Sequence, residues 1–430
     1  MIKVYLGLGS NLGDRRAHLR RAITALCARG LRNARPSPVV ETPAMLPEGA
    51  PSSWNRPFLN LVVEGEADGS AAGWLEHAKA IEQELGPRDS QHWSPRSIDI
   101  DLLLWGDESQ ASENLVIPHP ELTRRAFVLT PLAHLAPGLS IPGCERTVLE
   151  LSREVAPRTP LWMGVINVTP DSFSDGGRHL EWPDIEATVD EMVAAGAHLI
   201  DVGAESTRPG ASAVSAREEW SRLEPVLGRL FAKWRGDLLR PLVSVDTRHA
   251  SVAERALELG ADWINDVGGL TTPEMQALAR GSGATWVAMH HLTLPVELDR
   301  RLPDECDPVA EVSKWLEDRM TEWLAAGLDL DRIVFDPGIG FGKNALQSLR
   351  ILRELESFAG YGLRLLIGHS RKSFMKHFAG DSAAAGSATG RDLETLGASL
   401  ALAAKPVEIL RVHNVPAHAR ALAGWSHLQG

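Results

Sequence analysis

The 430-residue chain is poor in cysteine. Cys27, Cys144 and Cys306 lie far apart, their number is odd, and no C-x-x-C occurs. Neither a disulfide framework nor a zinc knuckle is expected from that pattern, and it fits a reducing, cytoplasmic setting. No apolar run reaches the roughly 18 residues that a membrane span needs. The opening residues, MIKVYLGLGSN, lack a basic segment followed by a long apolar one, so no signal peptide is expected. An excess of positive charge is missing too: 44 Lys and Arg face 56 Asp and Glu, a net charge of −12. Tight binding to a nucleic-acid backbone or an anionic membrane needs a dense cationic face, so neither is an expected partner. Small phosphorylated ligands remain open, because a few local Arg or Lys residues suffice for them. Apolar residues at 44% and charged residues at 23% are the mix of a globular protein. At roughly 150 residues per domain the length implies two to three domains.

The first piece runs from Met1 to about residue 150. An alternating strand begins at Lys3, and a turn follows at Gly9-Ser-Asn-Leu-Gly13. A helix then starts at Asp14, with Leu19, Ile23 and Leu26 on one face. Strands are predicted near 38–41, 58–64 and 98–105, with a Pro/Gly/Ser loop over 42–55 and a helix over 72–85. The βαββαβ order predicts an α+β sandwich with helices on one face of the sheet. Residues 151–160 read as a linker, charged and proline-containing.

From about 161 to 430, short apolar runs alternate with helical stretches. Eight runs stand out: 161–168, 198–203, 242–246, 262–267, 285–290, 332–336, 364–368 and 407–413. Such alternation predicts an α/β TIM barrel of (β/α)8 type. The runs end at Asn167, Asp201, Asp246, Asn265-Asp266, His290, Asp336, Ser370-Arg-Lys and Arg411-Val-His413. One polar residue after a strand is ordinarily a loop residue or a helix cap. Eight together point to one pocket at the carboxyl ends of the strands, where barrel active sites lie.

In the first piece the densest motif is Ser94-Pro-Arg96-Ser-Ile-Asp99-Ile-Asp101. Residues i and i+2 of a strand share a face and sit about 7 Å apart, so Asp99 and Asp101 project together. Partly buried, they need a cation or a proton; on an exposed strand they are merely polar. Magnesium suits a site of few carboxylates completed by phosphate oxygens and water, and Arg96 stands where a guanidinium can grip phosphate. A second cluster carries His119 and Arg125, which suit phosphates or, equally, a capped helix with solvated arginines. Neither the turn at 7–13 nor Phe341-Gly-Lys343-Asn344 fits a dinucleotide or P-loop motif.

Four motifs, GLGSNLGDR, FLN at 58–60, SPRSIDIDLLLWG and VIPHPELTRRAFVLTPL, occur in an order that resembles 6-hydroxymethyl-7,8-dihydropterin pyrophosphokinase over residues 1–150. The resemblance implies a ferredoxin-like fold and transfer of pyrophosphate from ATP to the pterin hydroxymethyl group, with release of AMP. It implies that Asp99 and Asp101 hold Mg²⁺ and that Arg88, Arg96, His119 and Arg125 contact ATP. Thr42, Asn60 and Phe127 then form the pterin pocket. One departure stands out: the loop before Trp93, usually rich in arginine, holds Arg88 alone.

In the second piece, NVTPDSFSDGG, ESTRPGA, SVDTR, DPGIGFGK, SRKS and RVHNV together resemble dihydropteroate synthase from about 161 to 423. The implied reaction joins dihydropterin-CH₂-pyrophosphate to p-aminobenzoate and releases pyrophosphate. Asp246, Asn265, Asp336, Lys372 and Arg411 would bind the pterin, whose buried polar groups need partners. Thr207, Arg208, Arg411 and His413 would bind pyrophosphate, with Asn167 on Mg²⁺. Asp175 and Asp246 would stabilise positive charge on the pterin methylene. Pro209, Phe341 and Ser373 would hold p-aminobenzoate. Members of this family often dimerise through barrel helices, so a homodimer is implied. The pair His290-His291 suggests either a metal or a strand-end contact beside a helix-side residue.

The reading is one chain carrying two consecutive steps of folate biosynthesis. Two rivals remain at this level: a pterin-binding methyltransferase barrel, and a first domain that only binds or scaffolds.

Overall fold

The structure is a computed structural model that describes residues 1–86, 93–155, 159–169, 182–205, 213–294, 297, 300–377 and 391–429. Two compact units are present, Met1–Thr159 with Gly236–Arg240, and Pro160–Arg235 with Pro241–Gly430.

The first unit opens with β1 (Ile2–Ser10), α1 (Arg15–Ala28), β2 (Arg32–Pro36), β3 (Val40–Thr42), β4 (Phe58–Ala67), α2 (Ala71–Leu85) and β5 (Asp99–Trp105). A small hairpin, β6 (Gln110–Ala111) and β7 (Val116–Ile117), leads to α3 (Ala126–Leu135) and α4 (Val148–Glu154). The strand order is β2-β4-β1-β5, with β3 pairing β4, the ferredoxin-like arrangement. Asp14 caps α1 by accepting from the Ala17 amide at 3.0 Å, and Leu19, Ile23 and Leu26 are fully buried, as their spacing predicts.

The structure departs from the sequence reading in three places. The predicted strand at 38–41 is two strands, because Pro36 and Pro38 have no N–H to donate and the ladder lapses between them. Ser37 bridges the gap: its amide donates to the Val62 carbonyl at 2.8 Å and its hydroxyl accepts from the Val62 amide at 3.0 Å. Helices also cover both faces of the sheet, not one. Val4, Leu6, Leu61, Val63 and Ile100 pack with α1 and α2. Tyr5, Val62, Leu103 and Leu104 pack with α3 and α4. Runs such as Leu61–Val63 and Leu102–Trp105 are apolar at successive positions, so each sheet face must be shielded. α4, with a full capping box of Thr147 and Glu150, runs past residue 150 into the segment read as linker.

The second unit is a closed barrel. Its strands are β8 (Leu161–Asn167), β9 (Leu199–Gly203), β10 (Leu242–Asp246), β11 (Trp263–Asp266), β12 (Thr285–Met289), β13 (Ile333–Asp336), β14 (Arg364–Ile367) and β15 (Ile409–Val412). Each pairs parallel with the next, and β15 closes on β8. Around them lie α5 (Trp182–Ala194), α6 (Ala216–Lys233), α7 (Ala250–Leu259), α8 (Pro273–Gly281), α9 (Pro308–Ala325), α10 (Ala345–Arg353), α11 (Glu356–Ala359), α12 (Asp392–Ala403) and α13 (Val415–Gln429). Ile200, Val202, Val243, Val245, Ile264, Phe335, Leu410 and Val412 join the helix-facing core. Strand side chains alternate, so Asp201, Asp246, Asn265, Asp336 and Arg411 project into the barrel.

Candidate active sites

In the first unit, strand register builds one wall of a cavity. Asn60 pairs with Gly9 across β4 and β1, and Gly9 pairs with Asp99 across β1 and β5. One step along, Gly7 pairs with Asp101. The glycines leave room: a Cβ on Gly9 would lie 2.8 Å from Asn60 Oδ1. The cavity encloses about 290 Å³ and its lining includes Thr42, Asn60, Asp99, Asp101, Arg125 and Phe127. Arg96 and His119 line it as well. Eight of the nine residues that the sequence assigns to this site are therefore together, and Arg88 lies outside the described residues.

Their contacts set their chemistry. Arg96 Nη1 donates to Asp99 Oδ1 at 3.0 Å. Asn60 Nδ2 donates to Thr42 Oγ1 at 2.8 Å. Burial and the adjacent charge of Asp99 push the Asp101 carboxyl above the usual range. Burial, offset in part by Asp101, pushes His119 down, so the ring is neutral near pH 7. The Glu121 amide donates to His119 Nδ1 at 3.2 Å. An amide can only donate, so the ring proton sits on Nε2. The Arg125 guanidinium lies 5.6 Å from the centre of the Phe127 ring.

Asn11 was not singled out from the sequence. Its side chain accepts from the Arg96 amide at 2.8 Å, and its own amide donates to the Arg96 carbonyl at 3.2 Å. It thereby fixes the turn that aims Arg96. The sequence signal for it is the turn GLGSN, which as a phosphate loop fits no motif.

In the barrel, register lines up Asn167, Gly203, Asp246 and Asn265 in one transverse row. Arg411 reaches across from β15. Its Nε donates to Asp201 Oδ2 at 2.6 Å and its Nη2 to Asp246 Oδ2 at 2.8 Å. Asn265 Nδ2 donates to the same Asp201 oxygen at 3.2 Å. Asp201, fully buried, is thus the hub between two of the expected pterin contacts. The sequence marked it only as a strand end. Asp266, its neighbour motif's second member, instead accepts from the Gly268 and Leu270 amides at 2.7 and 2.8 Å and shapes a turn.

On the opposite side, Asp336 Oδ1 accepts from the Gly338 amide at 2.8 Å. Lys372 donates to the Ile339 carbonyl, and its Nζ sits 4.6 Å from the centre of the Phe341 ring. His413 Nδ1 meets Ser370 Oγ at 3.0 Å, and Ser373 opens the short turn that follows Lys372. Asp175, Thr207, Arg208 and Pro209 lie outside the described residues. Burial, only partly offset by Arg411, pushes Asp246 up to about 7. Burial also raises Asp336, against the pull of Lys372, and brings Lys372 down to about 8. Burial opposes the Arg411 charge, but Asp201 and Asp246 outweigh it and raise its pKa.

His290 packs edge-on against Trp315 at 5.2 Å between ring centres. Its Nδ1 lies 2.7 Å from Lys343 Nζ, which also donates to the carbonyls of Gly338 and Phe341 at 2.9 and 3.0 Å. The pair therefore pins the turn between Asp336 and Phe341. Among the described residues, no group of three or more His, Cys, Asp or Glu could hold a metal.

Comparison with known proteins matches each of the two units to a family. Residues 5–137 match the family described as 7,8-dihydro-6-hydroxymethylpterin-pyrophosphokinase, and residues 163–413 match the pterin binding enzyme family. The chain is 39% identical to a folate synthesis bifunctional protein of Chlamydia muridarum, over 98% of each. It is 33% identical to the mitochondrial folate synthesis bifunctional protein of Arabidopsis thaliana, over 96% of this chain and 80% of that one. Among solved structures, the dihydropteroate synthase of Anaplasma phagocytophilum with bound 6-hydroxymethylpterin-monophosphate is 35% identical, with a TM-score of 0.56, covering 63% of this chain and all of that one. The Xanthomonas albilineans dihydropteroate synthase with 4-aminobenzoic acid is 37% identical, with a TM-score of 0.54, over 63% of this chain and 93% of that one. Two family matches on two separate folds, with relatives named as folate synthesis bifunctional proteins aligned over 96–98% of the chain, make this chain a member of the bifunctional folate synthesis family, joining a hydroxymethyldihydropterin pyrophosphokinase to a dihydropteroate synthase.

Proposed function

We propose that the cavity wall of residues 1–150 and the barrel mouth of residues 161–430 each complete one of the two reactions with the residues described above, joined by the segment that follows α4. The observation that carries this is Arg411, bridging two acidic side chains at the barrel mouth, with Asn265 on the same hub and Asp336 and Lys372 opposite.

In the first reaction the pterin hydroxymethyl oxygen bonds to the β-phosphorus of ATP. The bond from that phosphorus to the α-phosphate oxygen breaks, AMP leaves, and the hydroxyl proton is released. Thr42, Asn60 and Phe127 hold the pterin beside Asp99 and Asp101. Arg96, Arg125 and the His119 Nε2–H donate to phosphate oxygens. Phosphoryl transfer draws mostly on such positioning and charge neutralisation. Two carboxylates on one wall, one held above its usual range by burial and its neighbour, fit Mg²⁺, which prefers few protein oxygens. Asp99 and Asp101 would hold it, and bound there it neutralises phosphate charge and polarises the hydroxyl.

In the second reaction the amine of p-aminobenzoate bonds to the pterin methylene carbon. The bond from that carbon to pyrophosphate breaks, and the amine loses a proton. Asp246, Asn265, Asp336 and Lys372 fix the bicyclic ring, and Asp246 faces the positive charge that develops on the methylene. Arg411 and His413 receive the departing pyrophosphate, with Asn167 a candidate oxygen for Mg²⁺. Phe341 offers a face to the p-aminobenzoate ring, and Ser373 a hydroxyl to its carboxylate. The dispersed cysteines suit a cytoplasmic enzyme, and a homodimer through barrel helices is part of this reading. The test is a coupled assay on the full chain, from hydroxymethyldihydropterin, ATP and p-aminobenzoate to dihydropteroate. Formation of both AMP and dihydropteroate supports the reading; AMP without dihydropteroate, or neither, refutes it.

A further inference from the structure

The first cavity has one more cation in its wall than the sequence reading gave it. Lys79 lines the same cavity as Arg96, Asp99, Asp101, His119 and Arg125. It lies on α2, one turn before Glu82, and its Nζ sits 2.9 and 3.0 Å from the two Glu82 oxygens. Taken alone, an i,i+3 Lys–Glu pair on a helix is an ordinary surface feature.

Its geometry sets this pair apart. Glu82 is an anchor, its side chain only 10% exposed against 44% for Lys79. Glu82 Oε1 also accepts from the Ile100 amide at 2.8 Å. That amide lies between Asp99 and Asp101 on β5, the edge strand of the sheet, where a backbone donor needs a partner from outside the ladder. One buried carboxylate thus fixes the strand that carries both aspartates and holds the ammonium beside them.

The charge balance gives the ammonium a task. A nucleoside triphosphate brings roughly four negative charges into a wall that already holds two aspartates. Arg96 is engaged with Asp99, and the loop before Trp93 carries Arg88 as its one arginine. Among the described residues that line the cavity, Arg96, Arg125 and Lys79 are the Lys and Arg side chains.

We propose that Lys79 is a nucleotide-binding residue of the pyrophosphokinase reaction, which Glu82 orients so that it meets the polyphosphate of ATP. This rests on the reading of the first cavity given above. The test uses the full-length chain with two readouts. One is calorimetric binding of a non-hydrolysable ATP analogue with Mg²⁺; the other is steady-state AMP formation. Lys79→Gln is expected to weaken analogue binding and to raise the ATP KM about tenfold or more, the worth of one charge-assisted contact. The KM for hydroxymethyldihydropterin should move less than about twofold, since a uniform loss would mean general damage to the fold. Binding should also become less sensitive to salt. Lys79→Arg should restore most of the affinity. Condensation from supplied pterin pyrophosphate should be unchanged, showing that the chain is folded. An active wild type whose Lys79→Gln variant binds the analogue equally well overturns this proposal alone. A wild type that makes no AMP overturns the cavity reading and this proposal together.

Discussion

Arg411 and Asp246 meet at 2.8 Å across the barrel mouth, although 165 residues separate them. The same guanidinium holds the fully buried Asp201, so one side chain neutralises two acids that burial would otherwise penalise. Removing one partner of a buried ion pair leaves the other uncompensated, at a cost of about 3–5 kcal/mol. Arg411→Met is therefore expected to lower the denaturation midpoint of the barrel and to reduce condensation at least about 100-fold. Arg411→Lys keeps the charge but loses the fork that spans both acids, and should recover stability better than activity. Denaturant titration alongside dihydropteroate formation checks both.

The pH dependence follows from the same cluster. Asp246 titrates at about 7 rather than its ordinary 3.8, and Lys372 at about 8 rather than 10.5. Condensation needs Asp246 ionised and Lys372 protonated. Its kcat/KM should follow a bell with an acid limb near pH 7 and an alkaline limb near pH 8. Lys372→Arg should remove the alkaline limb from whatever activity remains. For stability the signs are opposite. Between pH 3.8 and about 7 the folded chain keeps an Asp246 proton that the unfolded chain gives up, so this group makes stability fall as pH rises through that window. Between about 8 and 10.5 the unfolded chain holds a Lys372 proton that the folded chain has lost, so this group makes stability rise with pH there.

Gly338 sits at a φ of +65°, and a Cβ there would lie 1.8 Å from the His290 carbonyl oxygen. No side chain can give way to relieve a backbone clash. Gly338→Ala is expected to destabilise the barrel by about 2 kcal/mol or more and to displace the turn that carries Phe341. Its measure is the unfolding midpoint, with AMP formation retained by the first domain as the internal control.

Chelation separates the metal from the side chains. Asp99 and Asp101 form the acidic pair of the first cavity. Removing divalent cations should stop AMP formation, and added Mg²⁺ should restore it. In Asp101→Asn, restoration should require at least about tenfold more Mg²⁺, consistent with the loss of one carboxylate ligand. AMP formation that persists in excess chelator would contradict the assignment of both aspartates.

The eight barrel strands were legible because each apolar run ends in a polar residue, a pattern that survives without knowledge of the fold. Asp246, Asn265, Asp336 and Arg411 were legible for the same reason. Asp201 also ends a run, yet nothing in sequence reveals that Arg411 and Asn265 share one of its oxygens, because barrel closure sets that contact. Lys79 reads as half of a solvated helix pair until β5 is laid against α2. The second face of the first sheet was misjudged because α3 follows a long irregular stretch, and only packing shows that Leu103 and Val62 need cover. Asp175, Thr207 and Pro209 rest on motif resemblance alone.

The central claim is that two separate sites share this chain. The most direct measurement assays both half-reactions in two purified full-length variants, Asp99→Asn and Lys372→Ala, each shown folded by its thermal unfolding profile. Asp99→Asn is expected to lose AMP formation and keep condensation from supplied pterin pyrophosphate, and Lys372→Ala the reverse. Loss of both activities in either folded variant would contradict the account.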